Sequence, residues 1–362
     1  MPHRTSGSRS TSFVLAAGLT LGAACTEGAG PPGQPPVGTP SALARCADPA
    51  VALTTRWEVD NLHDPITSIA RTGTTVVVAS ADGALKIWET GAGGAAERRP
   101  TYGDPIVQAG VALSAIAAGA EATVASVDVE GRARLWSAGG AELRAPMALL
   151  AGAGALIAFD EQRRWLVGGT AGFAGELAIA DLASGAVHAP VATQLWHATA
   201  AQLTGDRWIT AGDWYNCPAI DVRAPSAPDA ELAYWDNCRS DTGTDAEGWF
   251  RALAVDASGT ELLAAGDQLL ATFALASVAG GPTAIAATDV RIDRVGRLDG
   301  DRLAISFATR GEVSELTWWS LADLTARRTA TIAAAVDVAI DPELGLIVAA
   351  SADGILRGYT CD

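Results

Sequence analysis

The chain has 362 residues, with 41 Asp and Glu against 25 Lys and Arg, for a formal net charge of −16. A surface this acidic repels phosphate backbones, which excludes nucleic acid from the expected partners. The length also exceeds the usual size of one compact core, so several domains or a set of repeats is expected.

At the N-terminus, Arg4 and Arg9 precede the apolar run from Phe13 to Leu21, which is followed by Gly22-Ala23-Ala24-Cys25. A basic start, a short apolar core and small residues before a cut site predict a secretory signal over residues 1–24. The run is too short to span a bilayer as a helix, which takes roughly 20 apolar residues. Cleavage before Cys25 would place that thiol at the new N-terminus, and the segment resembles a bacterial lipoprotein signal. The resemblance implies lipidation of Cys25; Thr26 in place of Asp implies the outer membrane. The pattern departs at Gly22, where Leu is usual, so cleavage by ordinary signal peptidase, giving a periplasmic or secreted protein, is the alternative. Residues 25–45 are rich in Pro and Gly and poor in large apolar side chains, which predicts a flexible tether.

Beyond the tether the sequence repeats. Val76-Val77-Val78-Ala79-Ser80-Ala81-Asp82-Gly83-Ala84-Leu85-Lys86-Ile87-Trp88 returns as the segment from Ile347 to Tyr359, with Ser351-Ala352-Asp353-Gly354 at its centre. A third copy runs from Thr123 through Asp128 and Gly131 to Trp136. Each unit is an apolar strand, a turn carrying Asp and often Gly, and a strand ending in an aromatic residue. Weaker copies surround Leu166, Trp208, Leu262 and Leu303. Marking the end of the third strand at Trp88, Trp136, Ala180, Ile220, Leu275, Trp319 and Tyr359 gives spacings of 48, 44, 40, 55, 44 and 40, enough for four short strands per unit.

These units resemble WD repeats over roughly residues 50–361. In the first copy His63 stands where the family carries the histidine of its Gly-His pair, and Trp88-Glu89 matches its Trp-Asp end. Elsewhere that end decays to Ala180-Asp181 or Ile220-Asp221. The resemblance implies an all-β, seven-bladed β-propeller of four-stranded antiparallel blades over residues 46–362. The last repeat lacks an outer strand, whereas residues 51–59 form an unpartnered alternating strand; pairing the two closes the ring. That pairing brings Cys46 to Cys361, and a disulfide is expected there. For Cys217 and Cys238, a blade with 218–223 as third strand and 231–236 as fourth makes the cysteines neighbours, whereas 231–236 as third strand separates them. The first register is adopted, with a second disulfide in an oxidising compartment.

That register places Trp214, Tyr215 and Asn216 on one rim, together with Asp241, Asp245 and Glu247 and with Trp249 just beyond. Aromatic side chains on a rigid loop are the usual material of binding hot spots. The alternative is that Trp214 and Trp249 fold back as local core. Asp241, Asp245 and Glu247 are the oxygen donors calcium favours, but Gly243 stands where another ligand is wanted. A solvated turn is the reading, with no metal and no other cofactor expected and calcium as a weak alternative. Asp82, Asp128, Asp213, Asp267 and Asp353 recur after second strands, where Asp bonds turn amides. His3, His63, His188 and His197 show no metal spacing, and no nucleophile elbow or phosphate loop is present.

The expectation is a non-catalytic, monomeric propeller, anchored in the cell envelope and binding a protein partner on its rim. The alternative is an enzyme or small-ligand binder using the central channel, with catalytic residues that no motif identifies.

Overall fold

The architecture is that of a computed structural model, which describes residues 41–61, 64–72, 75–89, 101–108, 113–119, 123–137, 140–152, 154–159, 165–170, 176–238, 248–298, 302–342 and 344–362. The segment expected to be a signal, Cys25 and most of the expected tether lie outside these residues, as do His63, Asp241, Asp245 and Glu247.

Seven antiparallel sheets follow one another along the chain and form a seven-bladed β-propeller. Blade 1 comprises Ile66–Thr72, Thr75–Ser80, Ala84–Glu89 and Thr101–Gln108. Blade 2 comprises Leu113–Gly119, Thr123–Asp128, Arg132–Trp136 and Met147–Ala148. Blade 3 comprises Gly154–Phe159, Trp165–Thr170, Leu177–Asp181 and Val187–His188. Blade 4 comprises His197–Thr204, Arg207–Trp214, Cys217–Ala224 and Ala227–Asp236. In blade 5, Phe250–Val255 and Ala284–Arg291 flank the long run Glu261–Ala274. That run folds back on itself, since the Leu275 amide donates to the Thr260 carbonyl at 2.8 Å and Gln268 turns at φ 56°. It therefore supplies both central strands. Blade 6 comprises Arg294–Leu298, Leu303–Arg310, Val313–Ser320 and Ala326–Ala333.

Blade 7 closes the ring. Asp337–Asp341, Leu346–Ala350 and Ile355–Cys361 are completed by the N-terminal strand Leu53–Asp60, which pairs antiparallel with Leu53 opposite Cys361. The indole of Trp57 lies on Gly358, where a Cβ would overlap it. Cys46 and Cys361 are bonded, with Cα atoms 5.4 Å apart. The packed chain begins before Cys46, earlier than the tether boundary expected at residue 45. Ala42–Ala47 is a 3-10 helix whose Leu43 is fully buried, and the Trp318 indole donates to the Leu43 carbonyl at 2.9 Å. Arg328 grips the same segment through the carbonyls of Cys46, Asp48 and Val51.

The core is a set of layers between neighbouring blades. Val76 and Val78 pack towards blade 7, with Trp57 and Val348, while Val77 and Ala79 pack towards blade 2, with Ile116 and Val124. Blade 5 repeats the division, with Leu262 and Ala264 facing blade 4 and Leu263 and Ala265 facing blade 6. Both faces of a blade are covered, so a central strand buries every residue and reads as a continuous apolar run. Thr75–Ser80 and Thr123–Asp128 are buried along their whole length.

Candidate functional site

In each blade the second strand ends and the third begins on one face of the ring, here termed the upper face, where the first strand also begins and the fourth ends. The first and third strands end on the other face. On the upper face of blade 4, Trp214 pairs with Cys217 across a two-residue turn. Tyr215 and Asn216 both adopt left-handed backbone, at φ 52° and 63°, the geometry that matches the twist of a tight hairpin. The Asn216 amide donates to Asp213 Oδ2 at 2.9 Å, and the Asn216 carbonyl accepts from Gly248 at 2.8 Å. Cys217 is bonded to Cys238, with Cα atoms 5.6 Å apart, which ties the third strand to the end of the fourth. Residues 218–223 form part of the third strand and 231–236 part of the fourth.

The expected rim residues separate into two groups. The ring of Tyr215, 54 % exposed, lies 3.5 Å by centroid from Trp196 and 4.4 Å from Trp214. Trp214 is half-buried against the layer between blades 3 and 4, so local packing takes up part of its surface. Trp249 stacks on His197 at 4.4 Å on one side, and the Arg251 guanidinium lies 5.0 Å from its centroid. Asp213 joins the groups: its buried carboxylate accepts from His197 Nδ1 at 2.5 Å as well as from Asn216.

Beside Trp249 opens a cavity of about 690 Å³ at the mouth of the central channel, lined by residues of blades 3 to 7. Leu156, Ala198 and Val336 give it an apolar wall; Arg251, Arg291 and Arg294 give it guanidinium groups. Each arginine meets a carboxylate. Arg251 bonds Asp267 through two nitrogens at 2.6 and 3.0 Å, Arg291 bonds Asp293 at 2.6 Å, and Arg294 bonds Asp337 at 2.8 and 3.1 Å. Asp337 also accepts from Ser68 and the Ile69 amide of blade 1, which knits blades 6, 7 and 1 together.

The recurring aspartates mostly serve their turns. Asp82 accepts from the Ala84 amide, Asp128 from the Glu130 and Arg132 amides, and Asp353 from Ser351. Asp267 departs from this pattern through its pair with Arg251. Among the described residues no cluster of three or more His, Cys, Asp or Glu side chains is placed to hold a metal ion. The sequence reading missed Trp196 and the arginine pairs. It gave His197 no role, although its position at the start of a first strand, one blade hairpin before Asp213, was available as a signal.

Fold and site together define a seven-bladed β-propeller with a disulfide-stapled aromatic rim beside its channel mouth. A chain in the crystal structure of a mitotic checkpoint complex is similar, with a TM-score of 0.67 and 12% identity over 94% of this chain and 99% of that one. At this identity the likeness shows the fold alone. No protein-family model and no curated protein matches the chain.

Proposed function

We propose that the protein is a non-catalytic interaction platform that binds a protein partner through the upper face of blades 4 and 5. The observation that carries this reading is the exposed ring of Tyr215, held on a two-residue turn next to the Cys217–Cys238 staple and backed by Trp196 and Trp214. A pre-ordered aromatic side chain loses little conformational freedom on binding, so more of its buried area appears as affinity. The similar chain in a mitotic checkpoint complex accords with this use of the fold.

The reading includes anchorage in the cell envelope. Its support is the basic-apolar-small order ending at Cys25 and the two disulfides, which suit an oxidising compartment. The test is a cross-linked pull-down from native membranes with the full chain and its Trp214→Ala, Tyr215→Ala double variant. The reading expects a specific protein that the variant loses; identical recovery by both would overturn it.

A further inference from the structure

The three arginine–aspartate pairs at the channel mouth balance in formal charge, but they are not presented equally to solvent. The side chains of Asp267, Asp293 and Asp337 are 26, 19 and 3 % exposed, while those of Arg291 and Arg294 are 60 and 49 % exposed. Arg251, at 22 %, lies beneath Trp249. A ligand entering the cavity therefore meets cationic groups whose counter-charges sit behind them. This occurs in a chain of net charge −16, where an exposed cationic cluster stands against the overall field.

Arg291 is the group best placed to recognise an anion. It ends the fourth strand of blade 5 on the upper face and donates to Asp293 through Nε, which is not one of the two terminal nitrogens that form the end-on fork. A guanidinium fork matches a carboxylate with two parallel hydrogen bonds. The neighbouring wall of Leu156, Ala198 and Val336 and the edge of Trp249 would cover the aliphatic part of such a ligand. The volume of about 690 Å³ falls within the range of sites that take a small ligand or a few peptide residues. A long polyanion is disfavoured by the rest of the surface; a short anionic group is not.

We infer that the channel mouth is a carboxylate-binding site, with Arg291 as its recognition residue and an acidic segment of a protein partner as its ligand. This deepens the platform reading, because the mouth adjoins the aromatic rim through His197, Trp249 and Asp213. The test uses the full chain and fluorescein-labelled hexaglutamate, read by fluorescence anisotropy at low and high salt, with labelled hexalysine as control. The expected result is hexaglutamate binding without hexalysine binding, weakened at least tenfold by Arg291→Ala and partly restored by Arg291→Lys. Arg291 is largely exposed, so the alanine variant should fold, and far-ultraviolet circular dichroism checks that it does. No hexaglutamate binding, or binding unchanged by Arg291→Ala, would overturn the inference. Unlabelled glutarate as competitor distinguishes the source: displacement at concentrations comparable to unlabelled hexaglutamate supports the carboxylate site with a free small acid as ligand. Displacement by the peptide alone supports the protein segment. The Trp214→Ala, Tyr215→Ala pull-down leaves the mouth residues intact, so loss of the rim reading and loss of the carboxylate site are read separately.

Discussion

Cys46 and Cys361 are bonded across 315 residues of sequence, so one disulfide fastens the strand that closes the ring to the strand it closes upon. A cross-link over so long a span removes much of the unfolded chain's freedom, and its loss is expected to cost about 2–5 kcal/mol. A Cys46→Ser, Cys361→Ser variant should unfold at a lower denaturant concentration than the native chain. Equal midpoints would contradict this role for the staple. Peptide mapping without reductant should recover Cys46 joined to Cys361 and Cys217 joined to Cys238.

Closure also depends on a contact that only glycine permits. The Trp57 indole occupies the space a side chain at position 358 would need. Gly358→Ala is expected to cost about 2 kcal/mol by overpacking. It should act through Trp57: limited proteolysis ought to cut the N-terminal strand first. Uniform susceptibility along the chain would count against this.

Gly212 and Gly266 occupy matching places in blades 4 and 5. A Cβ there would strike the backbone carbonyl of His197 or of Trp249. Gly212→Ala should push His197 away from Asp213 and disturb the stack on Trp249, with a cost of about 2 kcal/mol. Tryptophan fluorescence of the folded variant checks the displacement, and an unaltered spectrum would speak against it.

How much of this was legible in the sequence differed from blade to blade. Blades 1 and 7 could be aligned by eye because Ser80-Ala81-Asp82-Gly83 and Ser351-Ala352-Asp353-Gly354 keep one turn and the same flanking runs. In blade 4 the third and fourth strands lie where the sequence placed them, but the marker residue does not. The residue equivalent to Trp88 is Arg223, opposite Trp208, rather than Ile220, because an arginine stands where most other copies carry an aromatic and gives no marker to align on. In blade 5 the hairpin at Asp267–Gln268 has no glycine at its second position, and the third-strand marker was read two residues late, at Leu275 instead of Phe273. At the channel mouth only Trp249 was legible. Arg251 and Arg294 sit one repeat apart, near the starts of the first strands of blades 5 and 6, but Arg291 ends a fourth strand, and only the ring brings all three together with Asp337.

Burial of Asp221 makes blade 4 sensitive to pH, and Arg223 opposes it. Arg223 bonds Asp221 at 2.9–3.1 Å within the core, and burial pushes the Asp221 carboxyl from 3.8 up to about 6 against the pull of Arg223. A carboxyl raised in the folded state takes up its proton more readily there than in the unfolded chain. Its contribution is fully present below pH 3.8 and is lost as pH rises through 6. The amount is about 3 kcal/mol, from the size of the shift. Urea midpoints of the native chain and Asp221→Asn, compared from pH 4 to 8, should show the native chain losing ground to the variant as pH rises. A constant difference would contradict the shift.

Tyr215 separates binding from folding. Its left-handed backbone carries a strain that glycine does not, and this relief offsets the lost ring contacts with Trp196 and Trp214, so Tyr215→Gly should change stability by no more than about 1 kcal/mol. The same substitution removes the exposed ring and should abolish partner capture. Capture retained at full strength would show that the ring is dispensable.

The most direct test of the platform reading places a photo-crosslinking amino acid at Tyr215 on the upper face and, separately, at Leu344 in the first-to-second turn of blade 7 on the opposite face. Both side chains are exposed. Irradiation of cells producing the full chain should yield a discrete protein adduct from position 215 and none from position 344. No adduct from position 215, or the same adduct from both, would contradict a partner bound on the aromatic rim.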